Sequence, residues 1–481
     1  MKWPKLTAIG CVGLAVCSCG DKGSIGVPRI SEYASLDDYI SALNSSTDPQ
    51  AVAIRKEIAD GPVDLAAEKA ECLKYGVPVT LSAASVPSAK DAYPLYKKWS
   101  ELADKKKVRF PPYADPLRLD YRYSPAELSV LSKIVNDNPE VFDLLHQAAA
   151  QPSVTTTSGY YAAFSKLRAG ARTLDTEGFL LARSGNYSKA VECGALGLNA
   201  AKQASRCSNQ EGYVTAVTVE SIALSSLQNI LTMAGPNPNV DSQVAATLSN
   251  SLPILSLRRC LAGETPIQLD LLDNVRTFSP TDFIDLIQLG NTATSPKPVP
   301  ASGPSTTSER TFIDNVTDAA EAQYLKRQLL AIKSADLPFL QQKPVLISID
   351  TAESVGASNP VQEEDPVSML LTALPTSPYV ITDESGCNDL AREQVILAAA
   401  AVLGAKAQIG RYPDKLPGKY MDPYAGRSLG YRRLGSKGFL IYSVGNDGLY
   451  RGDLPATSHD ICYSYPPPPA TPIPSDLLRI R

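Results

Sequence analysis

Only two histidines, His146 and His459, and two tryptophans stand in the 481 residues of this chain. So few imidazoles leave little material for a histidine-based metalloenzyme or a hydrolytic triad. No HExxH, GxxxxGK or CxxC occurs either, so zincin, P-loop and zinc-ribbon chemistries lack their minimal residues. A large excess of either charge is missing as well. The 46 Lys and Arg against 50 Asp and Glu give a formal charge of -4, and the densest basic run is Lys105 to Lys107 with Arg109. That run is too short to track a polyanion, which argues against a nucleic-acid partner. Beyond the N-terminus, no stretch has the ~20 consecutive apolar residues that span a bilayer as a helix.

What is present begins at the first residue. In "MKWPKLTAIGCVGLAVCSCGDKGS", Lys2 and Lys5 precede a short apolar run from Leu6 to about Val16, the pattern of an export signal. The run ends in Val16-Cys17-Ser18-Cys19, which resembles a bacterial lipobox: an aliphatic and a small residue before the cysteine that receives diacylglycerol. Residues 1–18 are then the signal peptide and Cys19 the lipidated residue. Cys17 is the alternative, but branched Val16 stands before it where a small side chain is preferred. Several acyl chains, at about 0.8 kcal/mol per buried methylene, anchor a protein nearly permanently. The expected location is the bacterial cell envelope, outside the cytoplasm, on a membrane surface rather than across it. Residues 19–32, "CGDKGSIGVPRISE", read as a flexible tether.

The six later cysteines, Cys72, Cys193, Cys207, Cys260, Cys387 and Cys462, allow many connectivities. No pairing follows from sequence, and small buried thiols are the plain reading.

At this length the chain has room for roughly three packed units. From residue 33 to 340 the pattern is helical. Pro125 opens one helix, Asn138-Pro139 breaks it, and a second carries Val141, Leu144, Leu145 and His146, which reads as a core or surface histidine. Leu167, Ala171, Leu174, Gly178 and Leu181 then step by three and four along one face. Gly185-Asn186 ends that helix, and Tyr187 to about Ala204 forms the next. Gly178, Gly185, Tyr187 and Ala190 stand at the spacing of one tetratricopeptide-like unit, without a regular repeat. The fold class expected is therefore α+β: a large helical-repeat-like body, with a Pro/Ser/Thr-rich disordered loop at about 291–307, and a small C-terminal module. An irregular connector over 341–386 separates the two, and 466–481, "PPPPATPIPSDLLRIR", is a Pro-rich tail.

The module, 387–465, pairs an alanine-rich helix with strand patterns. Gly410-Arg411-Tyr412-Pro413, Asp422-Pro423-Tyr424, Tyr431 and Ile441-Tyr442-Ser443-Val444-Gly445-Asn446-Asp447-Gly448 follow in order. This stretch resembles the C-terminal half of the major pseudopilin of type II secretion. The resemblance implies a helix against an antiparallel sheet and a calcium loop. Asp447 and Asp460 would be carboxylate ligands and Val444 a carbonyl ligand, Ser458 standing where the family has an aspartate. Asp453 is a further oxygen donor in the same stretch. A pseudopilin also needs a long membrane-inserted helix directly after its cleavage site. Here the helix is internal, so fibre assembly is not implied.

Two other motifs point to catalysis and lack its context. Gly426-Arg427-Ser428-Leu429-Gly430 fits GxSxG, but a proline-bearing loop precedes Ser428 and a strand pattern follows, where a nucleophile elbow needs a strand and then a helix. His459-Asp460 are adjacent, and side chains adjacent on a strand point apart. No catalytic residue is assigned. The function expected is a protein-binding or scaffold module of the envelope, with a protein partner. The alternative is an envelope hydrolase using a carboxylate pair in a cleft of the helical body.

Overall fold

The structure, a computed structural model, describes residues 27–33, 35–80, 91–108, 125–154, 160–206, 209–251, 256–289, 305–358, 365–372, 379–449 and 461–467. Helices α1 (Leu36–Ser45), α2 (Pro49–Lys74), α3 (Tyr93–Lys105), α4 (Pro125–Asp137) and α5 (Pro139–Ala149) come first. Two helical hairpins follow, α6 (Tyr160–Arg183) with α7 (Tyr187–Ser205), and α8 (Gln210–Ala234) with α9 (Pro238–Ser251). Then α10 (Leu257–Val275), α11 (Pro280–Leu289), α12 (Thr307–Ser334), α13 (Phe339–Ser358) and α14 (Pro366–Thr372) lead to the 31-residue α15 (Tyr379–Ile409). The sequence sets several starts directly. Ser35, Asp48, Asn209 and Ser256 cap their helices through side-chain oxygens, and Thr306 with Glu309 forms a full capping box on α12.

These helices enclose two cores. The first lies among α1, α2 and α10 to α14, around Leu36, Tyr39, Phe283, Ile313 and Leu325; the second lies among α3 and α5 to α9, around Tyr96, Phe164, Leu198 and Leu227. The chain thus leaves its first core after α2 and returns to it at α10. There α2 and α12 lie side by side in the same direction, Gly61 against Ala319, Lys69 on Glu321 at 3.0 Å and Glu71 on Lys333 at 3.3 Å. Gly61 is required for this approach, since a Cβ there would stand 2.8 Å from the Ala319 nitrogen.

Helix α15, about 46 Å long by its helical rise, joins the two cores. Tyr379 belongs to the first and Val395 to Leu403 to the second, while Cys387 and Ala391 pack with Phe339, Tyr424 and Val444 between them. Gly410, at φ +74°, ends the helix. Among the described residues, five strands follow: β1 (Met421–Asp422), β2 (Arg427–Ser428), β3 (Gly430–Leu434), β4 (Gly438–Tyr442) and β5 (Cys462–Tyr465). β1 pairs β2, and β3, β4 and β5 form an antiparallel sheet in that order, with Tyr431 opposite Ile441 and Ile441 opposite Tyr463. Phe439 gathers the rings of Tyr412, Tyr431, Tyr463 and Tyr465 within 6.3 Å. Thr232 on α8 donates to the Tyr463 hydroxyl at 3.3 Å, fixing the sheet to the helical body.

The chain is therefore mostly helical, with a small antiparallel sheet near its C-terminus, as the α+β reading expects. Four expected boundaries need correction. Residues 341–386 are not an irregular connector: α13 and α14 occupy much of the span. Their polar and proline content hides an apolar side, Leu346 and Ile349 in α13 with Val367 and Leu370 in α14, that enters the first core. Pro344 costs α13 one early backbone bond without stopping it. Residue 387 is likewise no domain edge, because α15 starts at Tyr379, its first amides held by the Asp350 carboxylate at 2.8 and 3.0 Å. Within the expected tether 19–32, Val27 and Ile30 are buried in the first core, and residues 19–26 lie outside the described residues. The loop expected at 291–307 gives way to the helix cap at Thr306. Residues 290–304, the signal peptide and most of the proline-rich tail lie outside the described residues.

Helix α8 is the one described helix long and apolar enough to cross a membrane, and most of it is buried in this fold. Ala398, Ala399 and Ala400 pack at 0 to 2% exposure in the second core, where α15 meets α8 and α9. A larger side chain has no room there. Ala400→Leu is expected to destabilise by about 1 to 3 kcal/mol, measured as a fall in melting temperature. An unchanged melt would contradict the packing.

Candidate functional site

The turns of the two hairpins stand next to each other. Gly185, at φ +81°, and Gly235, at φ +59°, reverse the chain in positions that favour glycine. Tyr187 donates to the Met233 carbonyl at 3.3 Å, and Ser188 and Gln243 bond at 3.0 to 3.2 Å. Between the turns lies an open cleft of about 380 Å³, lined by Gly185, Asn186, Ser188, Asn237, Asn239 and Gln243 among others. Asn186 heads α7 without capping it by its side chain, whereas the Asn237 side-chain Oδ1 accepts from the Asn239 and Val240 amides. No carboxylate, imidazole, thiol or amine side chain is among the lining residues. The cleft therefore offers paired amide donors and acceptors rather than acid–base chemistry.

A second feature is buried. Glu220 on α8 and Asp389 and Glu393 on α15 are 1, 2 and 1% exposed, and each has a carboxyl oxygen with no hydrogen-bond partner. Burial, reinforced by the neighbouring acids, pushes Glu393 up to about 8 and Glu220 well above the usual carboxylate range; burial raises Asp389 too. Arg392 does not neutralise them through its hydrogen bonds, which go to the Ser221 carbonyl and hydroxyl and to Ser225. These acids are paired and strongly shifted among the described residues, and no sequence spacing marks them as a pair. Glu220 inside the apolar run "VTVESIALSSL" was the available signal. A hydrolase needs its acid pair in reach of substrate, and a bond to be cleaved touches groups of this exposure only after α8 and α15 separate.

The loop expected to hold calcium is half described. Val444 and Asp447 lie in it; Asp453 and Asp460 fall outside the described residues, as do His459 and Cys19. Asp422, absent from the expected ligand set, organises the loop by accepting from the Val444 amide at 2.9 Å, the Ser443 hydroxyl at 2.9 Å and the Tyr424 amide at 3.0 Å. Gly445 and Gly448 have positive φ, and exposed Asp447 accepts from the Leu449 amide at 2.9 Å. The Lys343 ammonium donates to the Asn446 carbonyl at 3.1 Å, and the Asn446 amide donates to Glu384. Ser428 lies exposed on β2, with strand β3 after it rather than a helix. Compared with known proteins, the chain matches no protein family, no curated protein and no solved structure.

Proposed function

We propose that this chain is a binding protein of the bacterial cell envelope, anchored by lipid on Cys19, that holds an extended segment of a partner protein in the cleft between the hairpin turns. The cleft carries the reading. Its Asn, Gln and Ser side chains match the alternating N–H and C=O groups of a peptide main chain, and without charge they select shape over sequence. The helical-repeat character of the body and the pseudopilin-like character of the C-terminal module belong to this proposal too. Selection from a displayed library of unstructured peptides tests it. Enriched peptides are expected to lose about tenfold or more in affinity, at least ~1.4 kcal/mol, against Asn186→Ala/Asn239→Ala, whose side chains are exposed and outside both cores. Equal binding to the variant would overturn the assignment of the cleft.

Calcium enters through the resemblance and through the carboxylates Asp447, Asp453 and Asp460 of one glycine-bent stretch. Lys343 already places a positive charge in the turn, and Asp422 satisfies its amides, so the described half fits a turn held by protein groups. Thermal melts with calcium and with chelator are therefore expected to coincide. A bound ion would instead stabilise by about 2.7 kcal/mol at a hundredfold excess over its dissociation constant, and Asp447→Ala would remove the shift.

A further inference from the structure

Three different donor types converge where α5, α6 and α7 meet. His146 comes from α5, Glu177 from α6 and Cys193 from α7, and their ligand atoms all lie within 4.8 Å of one another. The His146 Nε2 and Glu177 Oε2 atoms are 2.7 Å apart. Glu177 and Cys193 are buried, whereas the His146 side chain is 35% exposed, so one side of the cluster faces solvent. Gly178 lets α7 come this close: a Cβ there would press on the Cys193 Cβ at 3.3 Å. Further charge near the cluster is negative, from Asp143 and Glu192 around His146 and from Glu192 and Asp175 around Cys193.

We propose that His146, Glu177 and Cys193 bind a zinc-like divalent transition metal, with the fourth position open to solvent. The donor set decides the class of ion. Calcium and magnesium take oxygen donors only, while one nitrogen, one oxygen and one sulfur suit zinc or cobalt. A tetrahedral ion with bonds near 2.0 Å to nitrogen and oxygen needs those two atoms about 3.3 Å apart. The His146–Glu177 pair has only to open by about 0.6 Å, within the reach of side-chain rotation on a fixed helix frame. Charge also balances: neutral imidazole, carboxylate and thiolate supply two negative charges to a 2+ ion. Binding releases the thiol proton to solvent, together with the imidazole proton where His146 carries one.

Cobalt supplies the test. The purified full chain, treated with chelator and titrated with Co²⁺, is expected to bind one equivalent with strong tetrahedral visible absorption and a thiolate-to-cobalt charge-transfer band. Equimolar Zn²⁺ should displace both. Cys193→Ser should lose the charge-transfer band, which separates this site from any other cysteine or from the carboxylates of the C-terminal loop. Cys193 is buried and its variant can misfold, so half-exposed His146→Ala is the second arm. It should keep the native circular dichroism while weakening cobalt binding about tenfold or more. A spectrum of six-coordinate, oxygen-ligated cobalt, or one that survives both substitutions, would show that the cluster is only a hydrogen-bonded contact among three helices.

Discussion

Glu393→Gln is expected to raise the melting temperature near pH 8 and to change it little near pH 5. The reason is linkage. Burial lifts Glu393 to about 8 in the folded chain, whereas an unfolded glutamate titrates near 4.3. Below the unfolded value both states hold the proton and the fold is not penalised. As pH rises towards the folded value the unfolded chain ionises first, and stability falls by about 1.4 kcal/mol per pH unit for such a group. Glu220 and Asp389 are raised as well, and Asp241 and Asp383, each raised to about 7 by burial, act in the same direction. The parent should therefore be more stable in mild acid than in mild base. Glutamine removes one ionisation from the buried cluster. The expected gain near pH 8 is on the order of 3 to 5 kcal/mol, read from denaturant melts at both pH values. Equal stability of parent and variant at the two pH values would mean that these acids are hydrated and ionised, and that α8 and α15 do not close on them.

Gly386→Ala should be the most damaging single methyl in the chain's shared helix. A Cβ at 386 would overlap the hydroxyl of Tyr213 on α8 and stand 3.0 Å from its ring carbon. The ring is 6% exposed and has nowhere to retreat. A loss of about 3 kcal/mol follows, at the upper end for overpacking. Tyr213→Phe removes the overlapping oxygen, so the double variant should recover most of that loss while Tyr213→Phe alone costs little. The cycle reports one contact, α8 on α15. Additive effects of the two substitutions would show that the helices do not meet at this point.

Much of the helical order is legible from side chains that act locally. Pro125 and Pro139 open α4 and α5, Gly185-Asn186 separates α6 from α7, and Thr306 with Glu309 marks the start of α12. The antiparallel strands around Tyr431, Ile441 and Tyr463 also follow the expected helix-then-sheet order. What escapes local reading is long-range pairing. Leu346 and Ile349 stand in the short run Val345-Leu346-Ile347-Ser348-Ile349, and only the long-range packing of α13 with α12 gives that run a surface to cover. The same holds for Val27 and Ile30, whose burial depends on helices far along the chain. The candidate sites were less legible still. Asn186 and Asn239 are ordinary turn residues in sequence, and only the stacking of two hairpins makes them one cleft. Glu220 and Glu393 meet through the crossing of α8 and α15, and His146 gains Glu177 and Cys193 through the packing of α5 on the α6–α7 hairpin, which no spacing encodes.

The binding reading is tested most directly in the native envelope, with a photo-crosslinking amino acid at position 186 of the full chain and the same residue at position 97 as control. Lys97 is exposed on α3 and lies outside the cleft. Irradiation is expected to give a discrete adduct with an envelope polypeptide from position 186 and none of that mass from position 97. Adding a peptide selected on the purified protein should suppress the adduct. The same adducts from both positions, or none from 186, would contradict the claim that the cleft holds a partner.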